Sequence, residues 1–159
     1  MNQNISPNRR AFLDMIAASE IGPALLAVSD NGYNVIVGST AAHPNLFASY
    51  ADHPRKLVQL RPGLASTAAG RYQLLARYYD AYKVQLGLPD ISPDSQDAIA
   101  IQQIRERGAL PLIDAGNIPL AVARCSNIWA SLAGSTYGQH TNTIAMLQAA
   151  YTAAGGALA

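Results

Sequence analysis

The residue with the clearest chemical potential is Glu20. Eight of the ten acidic residues are aspartates, and the two glutamates are Glu20 and Glu106. Phe12, Ile16 and Glu20 are spaced by four, so on a helix they share one face. Glu20 thus continues an apolar stripe and stands at the helix's C-terminal end, before Gly22-Pro23. Burial disfavours a carboxylate, and the negative end of a helix dipole does the same. A carboxylic acid kept neutral near neutral pH can protonate the leaving oxygen of a glycosidic bond. The alternative is an ordinary surface glutamate on a fraying last turn. Glu106, between Arg105 and Arg107, reads as solvated surface.

Other reactive types are scattered. His43, Asp52, His53 and His140 lack the spacing of a metal site, and Asp52-His53-Pro54 reads as a turn. The single cysteine, Cys125, excludes an internal disulfide and reads as a small buried apolar residue. Asp30 lies ten residues after Glu20. It is the best partner if a hydrolase needs a second carboxylate about 5 to 10 Å from the acid. Its position before Asn31-Gly32 favours a turn-forming role.

These residues need a framework. Ser6 is a good N-cap and Pro7 suits the first helical position, so a helix is predicted over 8–20. Residues 24–28 and 33–37 flank Ser29-Asp30-Asn31-Gly32 and predict a β-hairpin with an Asn-Gly turn. A third short strand is expected at 46–50, a short helix at 54–60 and a loop at 63–70. Helices follow at 71–86, 92–107, 111–115, 118–126 and 143–154, with a loop at 134–142. The expected fold class is α+β, mostly helical with a small antiparallel sheet region.

Composition agrees. The chain has 159 residues, 50% of them apolar and 13% charged, which suits one compact domain over 1–159. Its 29 alanines favour helix. A net charge of +1 gives no basic surface for nucleic acid. It also predicts sugar binding that depends only weakly on salt. No apolar run approaches the roughly 18 residues of a membrane span. The polar first ten residues lack the apolar core of an export signal, so a soluble cytosolic chain is expected.

Several blocks resemble the lambda-type phage endolysins. Arg10-Ala11-Phe12-Leu13-Asp14-Met15 and Ser19-Glu20 are similar to the family's opening motif. Gly32-Tyr33-Asn34-Val35-Ile36-Val37-Gly38 and Asp52-His53-Pro54-Arg55-Lys56-Leu57-Val58 follow in the family's order. Ala69-Gly70-Arg71-Tyr72-Gln73-Leu74-Leu75 resembles its Gly-Arg-Tyr-Gln motif. Glu106-Arg107-Gly108-Ala109-Leu110-Pro111 and Arg124-Cys125-Ser126-Asn127-Ile128-Trp129-Ala130-Ser131-Leu132 complete the series.

The resemblance implies a lysozyme-like fold with a cleft between a helical lobe and a small β region. It implies cleavage of the peptidoglycan β-1,4 bond between N-acetylmuramic acid and N-acetylglucosamine. The family cuts as a lytic transglycosylase, leaving 1,6-anhydromuramic ends, with one carboxyl and no cofactor. Glu20 matches the catalytic glutamate. Tyr72, Gln73 and Gly70 match substrate-binding positions, and Tyr137 matches a cleft tyrosine. Physically, Gly70 would admit a close sugar, Tyr72 offers an aromatic face and Gln73 can bond an acetamido group. Arg71 could orient a carboxylate or lie on the surface. Trp129 and Asn127 read as core and helix-end cap. The implied partner is the glycan strand, met by a monomer after release through a holin-type pore. Departures are Ile21 between Glu20 and Gly22, a more apolar stretch over 21–32, and an apparent insertion at 39–45.

Overall fold

A computed structural model describes residues 4–135 and 141–159. In it the chain divides into two compact units, 1–20 with 100–159, and 21–99.

The first unit is helical. α1 (Pro7–Glu20) starts as its sequence dictates: the Ser6 hydroxyl accepts from the Arg9 N–H at 3.4 Å, and Pro7 needs no N–H partner. Ala11, Phe12, Leu13, Met15, Ile16 and Ala17 are fully buried, so α1 is the unit's central helix. Naming the other helices in chain order, α2 is Pro23–Ala27, α3 Ala76–Leu86, α4 Pro93–Glu106, α5 Leu110–Asp114, α6 Ile118–Cys125 and α7 Ile144–Ala153. α5 and α7 pack on α1, and α6 packs on both α5 and α7. Asn117 caps α6 and Thr143 caps α7, each side chain accepting a backbone N–H three residues on. Trp129 and Cys125 lie in this core. Burial pushes the Cys125 thiol up to about 12, which leaves it inert as a nucleophile.

The second unit holds the sheet. β1 (Val58–Arg61) and β2 (Leu64–Ser66) pair antiparallel, with Val58 opposite Ser66 and Arg61 opposite Leu64. Leu74, Tyr79, Ile91 and Ile99 form its core, flanked by Phe47, Tyr50, Tyr82, Leu86 and Leu88.

Four sequence expectations are corrected here. Residues 24–37 are not a hairpin. Pro23 opens α2, and Ala-Leu-Leu-Ala prefers helix. The Asn-Gly turn does form, with Asn31 at φ 47°, Gly32 at φ 85° and the Tyr33 N–H donating to the Asp30 carbonyl at 2.9 Å. It closes against α2, where a Cβ on Gly32 would stand 2.9 Å from Leu26 Cδ2. Val35, Ile36 and Leu46 contribute only isolated bridges, so the expected strand at 46–50 is absent. The sheet lies at 58–66, where a short helix and a loop were expected; Pro62-Gly63 supplies its turn. Finally, α3 begins at Ala76 and not at Arg71, because Gly70 (φ 83°) and Gln73 (φ 51°) are left-handed and cannot be helical.

Candidate active site

Glu20 closes α1 and is half-buried. The Ser131 hydroxyl donates to its Oε1 at 2.7 Å, and the Ser131 N–H reaches the same oxygen at 3.4 Å. Behind Ser131 stand Ser19, whose hydroxyl donates to Ser131 Oγ at 2.7 Å, and Asn142, whose amide donates to Ser19 Oγ at 2.8 Å. Burial raises the Glu20 carboxyl above its ordinary range, and the two Ser131 bonds only partly oppose this. The site is thus a carboxylic acid biased toward its neutral form and anchored through one oxygen. The other carboxylates of its unit are Asp14 within α1, the exposed Glu106, and Asp114, which pairs with Arg9 at 2.6 Å.

The Gly70-Arg71-Tyr72-Gln73 motif lies in the second unit, and its physical roles differ from those expected. The space beside Gly70 is filled by Gln96, whose Oε1 would stand 2.3 Å from a Cβ there. That oxygen accepts from the Arg71 N–H at 2.9 Å. The Gln96 amide donates to the carbonyls of Tyr33 (3.0 Å) and Ile91 (2.8 Å). The Cβ position of Gly70 is thus taken by a protein carboxamide. Tyr72 is 5% exposed, and its hydroxyl donates to Asp97 Oδ1 at 2.6 Å. Tyr33 donates to the same oxygen at 2.9 Å and meets the Tyr72 ring edge-on. Burial first and the Asp97 charge second push the Tyr33 hydroxyl up to about 12, and Tyr72 well above its ordinary value. Both phenols stay protonated donors. The Tyr72 ring is thus enclosed rather than offered to solvent.

Arg71 is not a surface residue. It is 3% exposed, donates to the Asn31 carbonyl at 2.5 Å and lies over the Tyr33 and Tyr72 rings at 5.2 and 6.0 Å. Gln73 stays partly exposed. Its amide donates to the Gly70 carbonyl at 2.9 Å, across a backbone held at φ 51°. A non-glycine residue in that conformation is uncommon and stored strain of this kind collects at working sites.

Asp30 is exposed and receives the Tyr50 hydroxyl at 2.5 Å, in the turn position its sequence suggested. Tyr137 falls outside the described residues. Among the described residues, no three histidine, cysteine or acidic side chains cluster as a metal site would require. No helix among them is long and apolar enough to cross a membrane. Sequence reading missed Ser131, Ser19, Asn142, Gln96 and Asp97. Ser19 and Ser131 did lie inside the resembling blocks, but a serine carries no signal of its partner.

An α+β chain with this order of elements has the fold of the solved phage lysozymes. The structure is similar to bacteriophage lambda lysozyme in complex with a chitohexasaccharide, at TM-score 0.91 and 55% identity, covering 98% of each chain. It is similar also to a second structure of lysozyme from bacteriophage lambda, at TM-score 0.87 and 54% identity, again over 98% of each. The endolysin family model matches residues 10–158. The endolysin of Escherichia phage lambda is 56% identical over 153 residues, 96% of this chain and 94% of that protein. The endolysin of Escherichia phage P2 is 48% identical over 159 residues, 96% of each. The chain belongs to the endolysin family.

Proposed function

We propose that the whole chain is one catalytic domain that lyses bacterial walls by cutting peptidoglycan. The bond cut is β-1,4 between N-acetylmuramic acid and N-acetylglucosamine, by intramolecular transglycosylation. The observation that carries this reading is Glu20 itself: a half-buried carboxyl, raised by burial and held through one oxygen by Ser131. The chitohexasaccharide in the lambda lysozyme structure supports a glycan strand as ligand.

One carboxyl suffices for the chemistry. The neutral acid gives its proton to the glycosidic oxygen as the bond to muramic C1 breaks. An oxocarbenium-like centre develops at C1. The muramic C6 hydroxyl attacks C1, and the Glu20 carboxylate takes that hydroxyl's proton. The acid is regenerated and no water is consumed. Gln73 is proposed to bond an acetamido group, on a loop shaped by Gly70, Arg71 and Tyr72. Tyr137 joins the substrate residues on the family resemblance alone. The protein acts as a monomer, reaches the wall through a holin-type pore, and takes neither cofactor nor nucleic acid.

The solved relatives are described as lysozymes, so a hydrolytic route with Asp30 as second carboxylate is the competing reading. The Tyr50 hydroxyl on Asp30 gives that carboxylate a structural use and weighs against it. Digestion of purified peptidoglycan in H2(18)O separates the two. Transglycosylation yields 1,6-anhydromuramic ends without label; hydrolysis yields reducing ends carrying one labelled oxygen. A protein that binds the wall and releases neither product is a non-catalytic relative.

A further inference from the structure

The side chains behind Glu20 have an order that the acid's role alone does not explain. Asn142 Nδ2 lies 2.8 Å from Ser19 Oγ, and an amide nitrogen only donates. Ser19 Oγ is thereby an acceptor, and its single hydrogen has Ser131 Oγ at 2.7 Å and, at a longer 3.4 Å, the Ser131 carbonyl. Ser131, accepting from Ser19, sends its own hydrogen to Glu20 Oε1 at 2.7 Å. Each hydroxyl has one hydrogen and two lone pairs, so the direction is set at the far end: the Glu20 carboxylate only accepts, which commits the Ser131 hydrogen to it and leaves Ser131 Oγ to accept from Ser19. The backbone braces the same chain: the Asn142 N–H donates to the Ser131 carbonyl at 2.8 Å, and the Ser131 N–H to Glu20 Oε1. The three segments involved are the end of α1, the turn after α6 and the residues leading into α7, and these helices pack together.

We propose that Asn142, Ser19 and Ser131 are positioning residues that form a one-way donor chain. The chain keeps Glu20 Oε1 a permanent acceptor and makes Oε2 the oxygen that gives and takes the proton. This rests on the reading of Glu20 as the acid. An oxygen already receiving two donors cannot carry the acid's hydrogen, since O–H would face O–H. The proton therefore sits on Oε2. That O–H bond breaks toward the leaving oxygen as the bond to C1 breaks. Oε2 then receives the C6 hydroxyl's proton as the new C1–O bond forms. Without Ser131 the carboxyl turns freely and its proton divides between two oxygens. The chain also supplies donors to the anion, and so limits how far burial raises the acid.

The chain's own composition makes the test clean. Glu20 and Glu106 are the two glutamates, so protein labelled with 13C at glutamate Cδ shows two resonances. The exposed Glu106 serves as internal reference. In Ser131→Ala the Glu20 midpoint should rise by about one pH unit, the usual worth of a hydrogen bond to a charged group. Glu106 should not move. The basic limb of the pH–rate profile should rise with it, and kcat should fall more than KM changes. Ser131→Thr keeps the hydroxyl and should restore both. Asn142→Ala should shift Glu20 in the same direction by less. A Ser131→Ala protein whose Glu20 midpoint and pH profile stay in place overturns the donor chain, with the acid reading intact. A Glu20→Gln protein that still cuts peptidoglycan overturns the acid reading, and with it the assignment of Oε2, whatever Ser131 does.

Discussion

The networks around Glu20 and Asp97 use the same parts to opposite ends. Each sets a carboxyl against hydroxyl donors. Asp97 is 6% exposed, and one of its oxygens receives two phenol hydroxyls beside the Arg71 guanidinium. Glu20 is half-buried, and its donors come from one serine. Two phenolic donors and the Arg71 guanidinium hold the Asp97 side chain as a strut. A single serine against burial leaves a carboxyl that can still hold a proton. On the proposed function, the contrast separates a residue that shapes a loop from one that works on a bond.

The largest effect expected from breaking this contrast is at Glu20. Glu20→Gln keeps the shape and removes the titrating proton, so the cleavage rate should fall by about 10²- to 10⁴-fold. Stability should move the other way. The folded-state value of Glu20 is raised, so its favourable contribution is full below the ordinary carboxylate range. That contribution is lost as pH rises through the folded value. Thermal unfolding of Glu20→Gln should therefore match wild type near pH 4 and lie above it at pH 8. A variant that melts lower at pH 8 would deny that burial opposes the anion.

The second effect is at Gly70. An alanine there meets Gln96 Oε1 at 2.3 Å with φ at 83°, so Gly70→Ala should destabilise by about 3 kcal/mol. Gly63 has a similar φ of 79° and open space around it. Gly63→Ala should thus cost only the backbone strain, about 1 kcal/mol. The difference in urea unfolding between the two reads the Gln96 contact. Equal losses would mean that the carboxamide is not what Gly70 accommodates.

Legibility in the sequence followed the range of the forces involved. Caps and breakers act within a turn, so the expected bounds of α1, α4, α6 and α7 fall within a residue of those found. The Asn31-Gly32 turn was readable for the same reason, but its flanks were not. Val35 and Ile36 have strand propensity, yet they pair as single bridges with Leu46 and Ala69, contacts no local pattern contains. Glu20 was visible as a carboxyl continuing an apolar stripe at a helix end. Its donors were not, because Ser131 and Asn142 lie more than a hundred residues away. The Gln96 contact at Gly70 and the burial of Tyr72 against Asp97 were not readable, because Gln96 and Asp97 lie some 25 residues on, in a helix whose acidic residues also suit its N-terminal dipole.

A smaller effect should follow from removing one phenol hydroxyl. Tyr72→Phe leaves Asp97 its Tyr33 donor and costs about 1 kcal/mol in chemical denaturation. Double substitution with Tyr33→Phe should cost more than the sum of the singles, because Asp97 then loses both phenols. Simple additivity would mean that the two hydroxyls do not share the carboxylate.

A last test sharpens the comparison by adding a buried base to the two acids. His53 is 3% exposed, with Nε2 2.8 Å from the Leu74 carbonyl and Nδ1 accepting the Arg55 N–H at 3.0 Å. Accepting at Nδ1 requires a lone pair, so the ring is neutral with its hydrogen on Nε2. Burial lowers the His53 value, and protonation would turn the Arg55 contact into donor against donor. The unfolded chain therefore takes up this proton first. Stability due to His53 is full above the ordinary histidine range and is lost as pH falls through it toward the folded value, by at most about 1.4 kcal/mol per pH unit for one proton. Glu20 changes in the opposite sense, so the measurement belongs in the Glu20→Gln background. Asp52, held at about 2 chiefly by its Arg55 hydrogen bonds, loses its contribution only at lower pH and leaves the window clear. Urea unfolding between pH 7 and 5 should show stability falling in that background. The slope should flatten in a protein that also carries His53→Gln. An unchanged slope would place the titrating group elsewhere.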